Sequence, residues 1–105
     1  MPIKPGEVYR ADLGAVGKVR PVLIVSREDP NRPRDLVLAV PLTTQNRGSQ
    51  YEVPMPHVRF LREISIASIQ GLQSFRPAEL EGPLGRFESS AMGAVKAALR
   101  WALEL

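Results

Sequence analysis

The chain has 105 residues, 44% hydrophobic and 24% charged, the profile of one globular domain with one modest core. It has no cysteine, which excludes disulfides and thiolate metal sites. Its net charge of +3 favours an anionic partner, and all but three of its 14 cationic residues are arginine, whose fork bonds two phosphate oxygens at once. An arginine excess also follows from GC-rich coding, so charge alone does not establish nucleic-acid binding.

The opening Met1-Pro2-Ile3-Lys4-Pro5-Gly6 has no apolar stretch, so no signal peptide is expected. The longest apolar runs, such as Val22-Leu23-Ile24-Val25, are too short to span a bilayer, and a cytoplasmic location is expected. Glu7 to Leu13 alternates, with Tyr9, Ala11 and Leu13 on one face and Val8, Arg10 and Asp12 on the other. That predicts a strand with one wet face. Gly14 to Lys18 reads as a loop. Pro21 to Ser26 reads as a central strand opening on its proline, and Glu28 to Arg34 as a turn. Leu36 to Leu42 is a second buried strand. After the polar loop Asn46 to Ser49, Tyr51, Val53 and Met55 suggest a short strand near an edge. His57 to Glu63 has no readable pattern. Ile64 to Ile69 reads as a strand, and Pro77 to Glu81 as one helical turn.

The last segment is the clearest helix. Ser89 or Ser90 is the expected cap, and Met92, Val95, Leu99 and Leu103 make one apolar stripe. Trp101 lies off the centre of that stripe, where it can reach a neighbouring surface. About five short strands and one terminal helix predict a mainly β fold, a small twisted barrel or half-open sheet closed by the helix.

The catalytic inventory is narrow. The single histidine, His57, cannot supply a paired acid and base and reads as a surface loop residue. The 11 carboxylates are scattered, with no Asp-x-Asp arrangement, so two-metal phosphodiester chemistry is not expected. There is no Gly-x-Ser-x-Gly elbow and no phosphate-binding glycine loop. Arg, Lys, Thr, Ser and Gln remain, and they suit one reaction. RNA carries its own nucleophile, the 2′-hydroxyl, and its attack on phosphate needs orientation and fixed donors rather than a cofactor.

Three ordered blocks resemble the MazF/PemK family of toxin endoribonucleases. They are Gly6-Glu7-Val8-Tyr9-Arg10-Ala11-Asp12-Leu13, Gly17-Lys18-Val19-Arg20-Pro21-Val22-Leu23-Ile24-Val25-Ser26, and Val40-Pro41-Leu42-Thr43-Thr44-Gln45 followed by Tyr51-Glu52-Val53. The resemblance implies one domain over residues 1–105, with a barrel like that of Src-homology-3 domains and a C-terminal helix. It implies a homodimeric, metal-independent and cofactor-free endoribonuclease that cuts single-stranded RNA sequence-selectively. The products would carry a 2′,3′-cyclic phosphate and a 5′-hydroxyl. It also implies an antitoxin whose acidic, flexible tail covers the site. The family's catalytic arginine and threonine correspond to Arg20 and Thr43. Lys18, Thr44, Gln45, Arg47, Gln70 and Gln73 are the residues expected to contact RNA.

Residue physics fits that placement. Pro21 holds Arg20 extended at the mouth of a strand, and Thr43 ends another; antiparallel pairing would set the two side by side. One position departs from the family: Ile69 stands where many members carry an acid before a glutamine, here Gln70. Free arginine is a poor base, so Arg20 is expected chiefly to stabilise charge. Two other readings remain open: a CcdB-like toxin that binds DNA gyrase without catalysis, and a protein-binding adaptor barrel. The adaptor should show an aromatic-lined groove, whereas aromatics are 6% and scattered.

Overall fold

The computed structural model describes residues 2–14 and 18–105. Among these it forms seven strands and one α-helix: β1 Glu7–Asp12, β2 Val19–Ile24, β3 Val37–Thr43, β4 Glu52–Pro54, β5 Ile66–Ser68, β6 Gln73–Phe75, β7 Glu81–Arg86 and α1 Ser89–Ala102. The sheet runs β4-β5-β3-β2-β1-β7, with β6 added to β3, and every pairing is antiparallel. Among the described residues this path is open, with β4 at one end and β7 at the other. The expected mainly β architecture with a terminal helix is present, in its half-open form.

The three central strands bury residues on both faces; on the face of β1 expected to be wet, Arg10 and Asp12 are exposed and Val8 is buried. Val8, Leu23, Val40 and Leu42 join Phe87, Met92 and Val95 in one core cluster. Their neighbours in sequence, Tyr9, Ala11, Val22, Ile24, Val37 and Ala39, join Phe75 in a second. Strand alternation sends successive residues to opposite layers, and here both layers are apolar. Only Arg10 and Asp12 of β1 reach solvent fully. Tyr9 keeps its hydroxyl bonded by donating to Glu7 Oε1 at 3.0 Å. Burial and that carboxylate push the Tyr9 phenol up to about 12.

Sequence punctuation misplaced several boundaries. Strand β2 starts two residues ahead of Pro21, because β1 supplies partners for Val19 and Arg20 at Asp12 and Ala11. Five strands become seven. Gln73–Phe75 is too short to show a pattern, and β7 carries Gly82, Pro83 and Gly85, which normally break strands. Such a sequence is tolerated at a sheet edge, where a missing N–H faces no partner. The strand expected over Ile64 to Ile69 is only Ile66–Ser68, followed by a 3-10 turn over Ile69–Gly71. The predicted turn after Arg76 is a 3-10 turn over Pro77–Glu79. The Gly14 to Lys18 loop falls largely on 15–17, outside the described residues.

Helix α1 buries Met92 and Val95 completely and Leu99 in part, each buried side chain contributing about 1.5–3 kcal/mol. Glu88 rather than a serine holds the N-cap position, without a side-chain bond, and Ser89 is already helical. The helix ends before Leu103, which is therefore exposed. Trp101 does find a neighbour: it packs edge-on against Tyr51, with ring centroids 4.8 Å apart.

Candidate active site

The site arises where two paired strands part. Strands β2 and β3 pair through Ile24↔Ala39, Leu23↔Val40 and Val22↔Pro41, and their ladder stops there. Beyond it β2 continues along β1, setting Arg20 against Ala11, while β3 turns to β5, setting Leu42 against Ala67 and Thr43 against Ile66. Two prolines, Pro21 and Pro41, stand at this fork and have no N–H with which to prolong the ladder. Extending the register would place Thr43 opposite Arg20. Instead of closing, the strands leave a cleft, and two cavities of about 240 and 340 Å³ share Arg20, Leu42 and Thr43 as common walls.

Thr43 is held in a definite orientation. Its Oγ1 accepts the backbone N–H of Gln45 at 3.2 Å, which leaves the hydroxyl proton free to donate outward. Arg20 is half-buried and has no ion-pair partner among the described residues, so its charge is available to an anion. The smaller cavity adds Gln45 and Arg47 from the loop after β3, and Glu52 and Ser68 from β4 and β5. Glu52 organises that loop. Its carboxylate accepts the backbone N–H groups of Arg47 and Ser49, each at 3.1 Å, and the Ser49 hydroxyl at 2.9 Å. These bonds, the Arg47 amide first, hold the Glu52 carboxyl below the usual glutamate range, so it stays ionised at neutral pH.

The larger cavity shares the Arg20–Thr43 wall and adds Thr44, Leu61, Arg62, Glu63 and Ser65. The segment His57 to Glu63, unreadable in the sequence, reaches this place through Phe60. Its ring lies so close over Gly85 that a Cβ there would clash with Phe60 Cδ2. The same ring meets Phe87 edge-on at 5.8 Å.

The fold therefore brings together Arg20, Thr43, Thr44, Gln45 and Arg47 of the residues named from sequence. Lys18 is exposed just before β2, where its carbonyl accepts the Leu13 amide at 3.2 Å, and it lines neither cavity. Gln70 lines a separate cavity against α1, with Tyr51, Leu99 and Leu103. Gln73 is exposed on β6 opposite Ala39. His57 is exposed, as expected of a loop residue. Sequence reasoning missed Glu52, Glu63 and Ser65. Glu52 was visible only as the polar member of Tyr51-Glu52-Val53, and the other two carried no local signal. Among the described residues no group of three or more His, Asp or Glu side chains could hold a metal ion.

Residues 4–103 match the family of PemK-like, MazF-like toxins of type II toxin–antitoxin systems. The chain belongs to this family. It is 31% identical over 93 residues to Endoribonuclease MazF3 of Mycobacterium tuberculosis, a match covering 89% of this chain and 90% of that one. A mycobacterial endoribonuclease solved in complex with its cognate antitoxin superposes with a TM-score of 0.85 at 33% identity, covering 98% of this chain and 96% of the other. The Mycobacterium tuberculosis toxin MazF-mt6 superposes with a TM-score of 0.80 at 30% identity, covering 94% and 97%. The two solved toxins share this fold over nearly the whole chain. No helix among the described residues is long and apolar enough to cross a membrane.

Proposed function

We propose that the chain is the toxin of a type II toxin–antitoxin pair and an endoribonuclease that cuts single-stranded RNA at the β2–β3 fork. The carrying observation is the shared wall of Arg20 and Thr43 between two cavities, which lets a strand of RNA pass with its phosphate at the wall and a nucleotide on either side. The 2′-hydroxyl attacks the adjacent phosphorus, its proton passing to water. The 5′-oxygen leaves and takes a proton from water, so the products carry a 2′,3′-cyclic phosphate and a 5′-hydroxyl. Arg20 offsets the added charge of the pentacoordinate phosphorane, and the Thr43 hydroxyl donates to one of its oxygens. Gln45 and Arg47, held by the Glu52 loop, position the neighbouring phosphate. No step calls for a metal or cofactor. The endoribonuclease names of the relatives support this reading over a toxin that only binds gyrase.

Lys18, Gln70 and Gln73 lie outside the two cavities, so any RNA contact from them concerns more distant nucleotides. The active form is a homodimer in the cytoplasm, since a domain of this size gains core by pairing. A cognate antitoxin with an acidic, disordered tail would order on binding and occupy the same arginine-bearing cleft.

The test is cleavage of a mixed-sequence single-stranded RNA by the wild type and by Arg20→Ala. The wild type should cut, and loss of one preorganised donor should slow it about a hundredfold or more. A folded Arg20→Ala protein cutting at the wild-type rate would remove Arg20 from the mechanism.

A further inference from the structure

We propose that the larger cavity at the fork is a base-reading subsite that selects guanine at a nucleotide flanking the cut; this rests on reading the fork as the RNA-cleaving site. The lining of the cavity points to a ligand. It combines apolar walls with two charged side chains that have no ion-pair partner among the described residues. Pro21, Leu42 and Leu61 supply carbon surface for the faces of a planar ring. Arg62 and Glu63 are exposed beside them, and neither is in an ion pair among the described residues. A volume of about 340 Å³ has room for one nucleobase with its sugar edge.

The donor and acceptor types choose the base. A carboxylate has two acceptor oxygens and no donor at neutral pH. Guanine alone offers two adjacent donors, N1–H and the 2-amino group, to such a pair. Its O6 and N7 are acceptors that suit an arginine fork, here Arg62. Adenine and cytosine present one amino donor beside an acceptor nitrogen, and that nitrogen would face the carboxylate unfavourably. Uracil presents a single N–H between two carbonyls. Because Arg20 and Thr43 also line this cavity, the guanosine would adjoin the phosphate being cut.

A random-sequence RNA pool, cut by the wild type and by Glu63→Gln and sequenced at the new ends, tests this. Guanine should be enriched at one nucleotide beside the cut, and Glu63→Gln should lower the guanine-over-adenine ratio about tenfold or more. Inosine at that nucleotide, lacking the 2-amino group, should be cut more slowly by the wild type. Cutting with no guanine enrichment, or an enrichment unchanged in Glu63→Gln, overturns the subsite while leaving the nuclease reading intact. If no RNA is cut, the nuclease reading fails, and the cavity is judged by amide NMR shifts on titrating guanosine 5′-monophosphate against adenosine 5′-monophosphate. Saturable shifts at Leu42, Leu61 and Ser65 with the guanine nucleotide alone support the subsite; their absence, or equal shifts with both, overturns it.

Discussion

Replacing Gly85 by alanine should be costly for a steric reason that one second substitution removes. A Cβ at this position would clash with Cδ2, Cε2 and Cγ of Phe60. Its backbone is outside the left-handed region, so no torsional strain enters and the clash with the ring is the whole effect. Overpacking of this kind costs about 1–3 kcal/mol. Displacing the ring also forfeits the edge-on contact with Phe87, worth about 0.5–1.5 kcal/mol. Gly85→Ala should therefore destabilise the protein by about 2–4 kcal/mol, lowering the melting temperature by about 10–20 °C for a chain of this size. In a Phe60→Ala background the same change should cost close to nothing, because the ring it strikes is gone. Urea unfolding of the four proteins in that cycle gives the coupling directly. Additive losses, with Gly85→Ala equally harmful in both backgrounds, would refute the proposed tether. The functional readout should follow the structural one: the loop that Phe60 anchors carries Leu61 and Glu63 to the fork, so Gly85→Ala should also impair cleavage measured well below its melting temperature.

Four further outcomes are expected. Gly71→Ala should push the turn after β5 away from β3, since its Cβ would lie 2.5 Å from the Pro41 ring at the fork; circular-dichroism melts should show a loss of about 1–3 kcal/mol. Tyr9 is protonated more readily folded than unfolded, so its contribution to stability should be complete below pH 10 and vanish as pH rises through about 12; denaturant titrations of wild type and Tyr9→Phe at alkaline pH should diverge in that window. Glu52 has its acidity raised by the Arg47 and Ser49 amides, so the loop they form should be intact above the ordinary glutamate range and loosen only as pH falls below it, read by amide exchange at Arg47 and Ser49. Excess EDTA should leave RNA cleavage unchanged once RNA folding is controlled, and a loss restored by Mg²⁺ would defeat the metal-free chemistry.

The parts of the fold legible in the sequence are those whose own residues carry a period. Strands β1, β2 and β3 and helix α1 announced themselves because their apolar residues repeat at the spacing of the element they form. The edge strand β7 did not, because Gly82, Pro83 and Gly85 are permitted by its position rather than by its pattern. That Arg20 and Thr43 belong to one site was implied by the resemblance to the toxin family, and an arginine before a proline and a threonine closing an apolar strand fit that placement. That the two strands part there was not, since it depends on Pro21 and Pro41 both standing at the end of the ladder and on β5 taking over β3. Glu63 and Ser65 were beyond reach for the same reason. They come to the cleft through a ring lying on a glycine some 25 residues away in sequence, a contact no local pattern records.

The central claim is that the RNA supplies its own nucleophile at a cleft where Arg20 and Thr43 only orient and stabilise. It is tested most directly by one RNA with a single wild-type cleavage site, compared with the same RNA carrying a 2′-deoxy nucleotide on the 5′ side of that bond. The account predicts that the deoxy RNA binds with similar affinity and is not cut at that bond. Cleavage of the deoxy RNA there at a comparable rate would contradict it, because the attacking group would then have to come from water or from the protein.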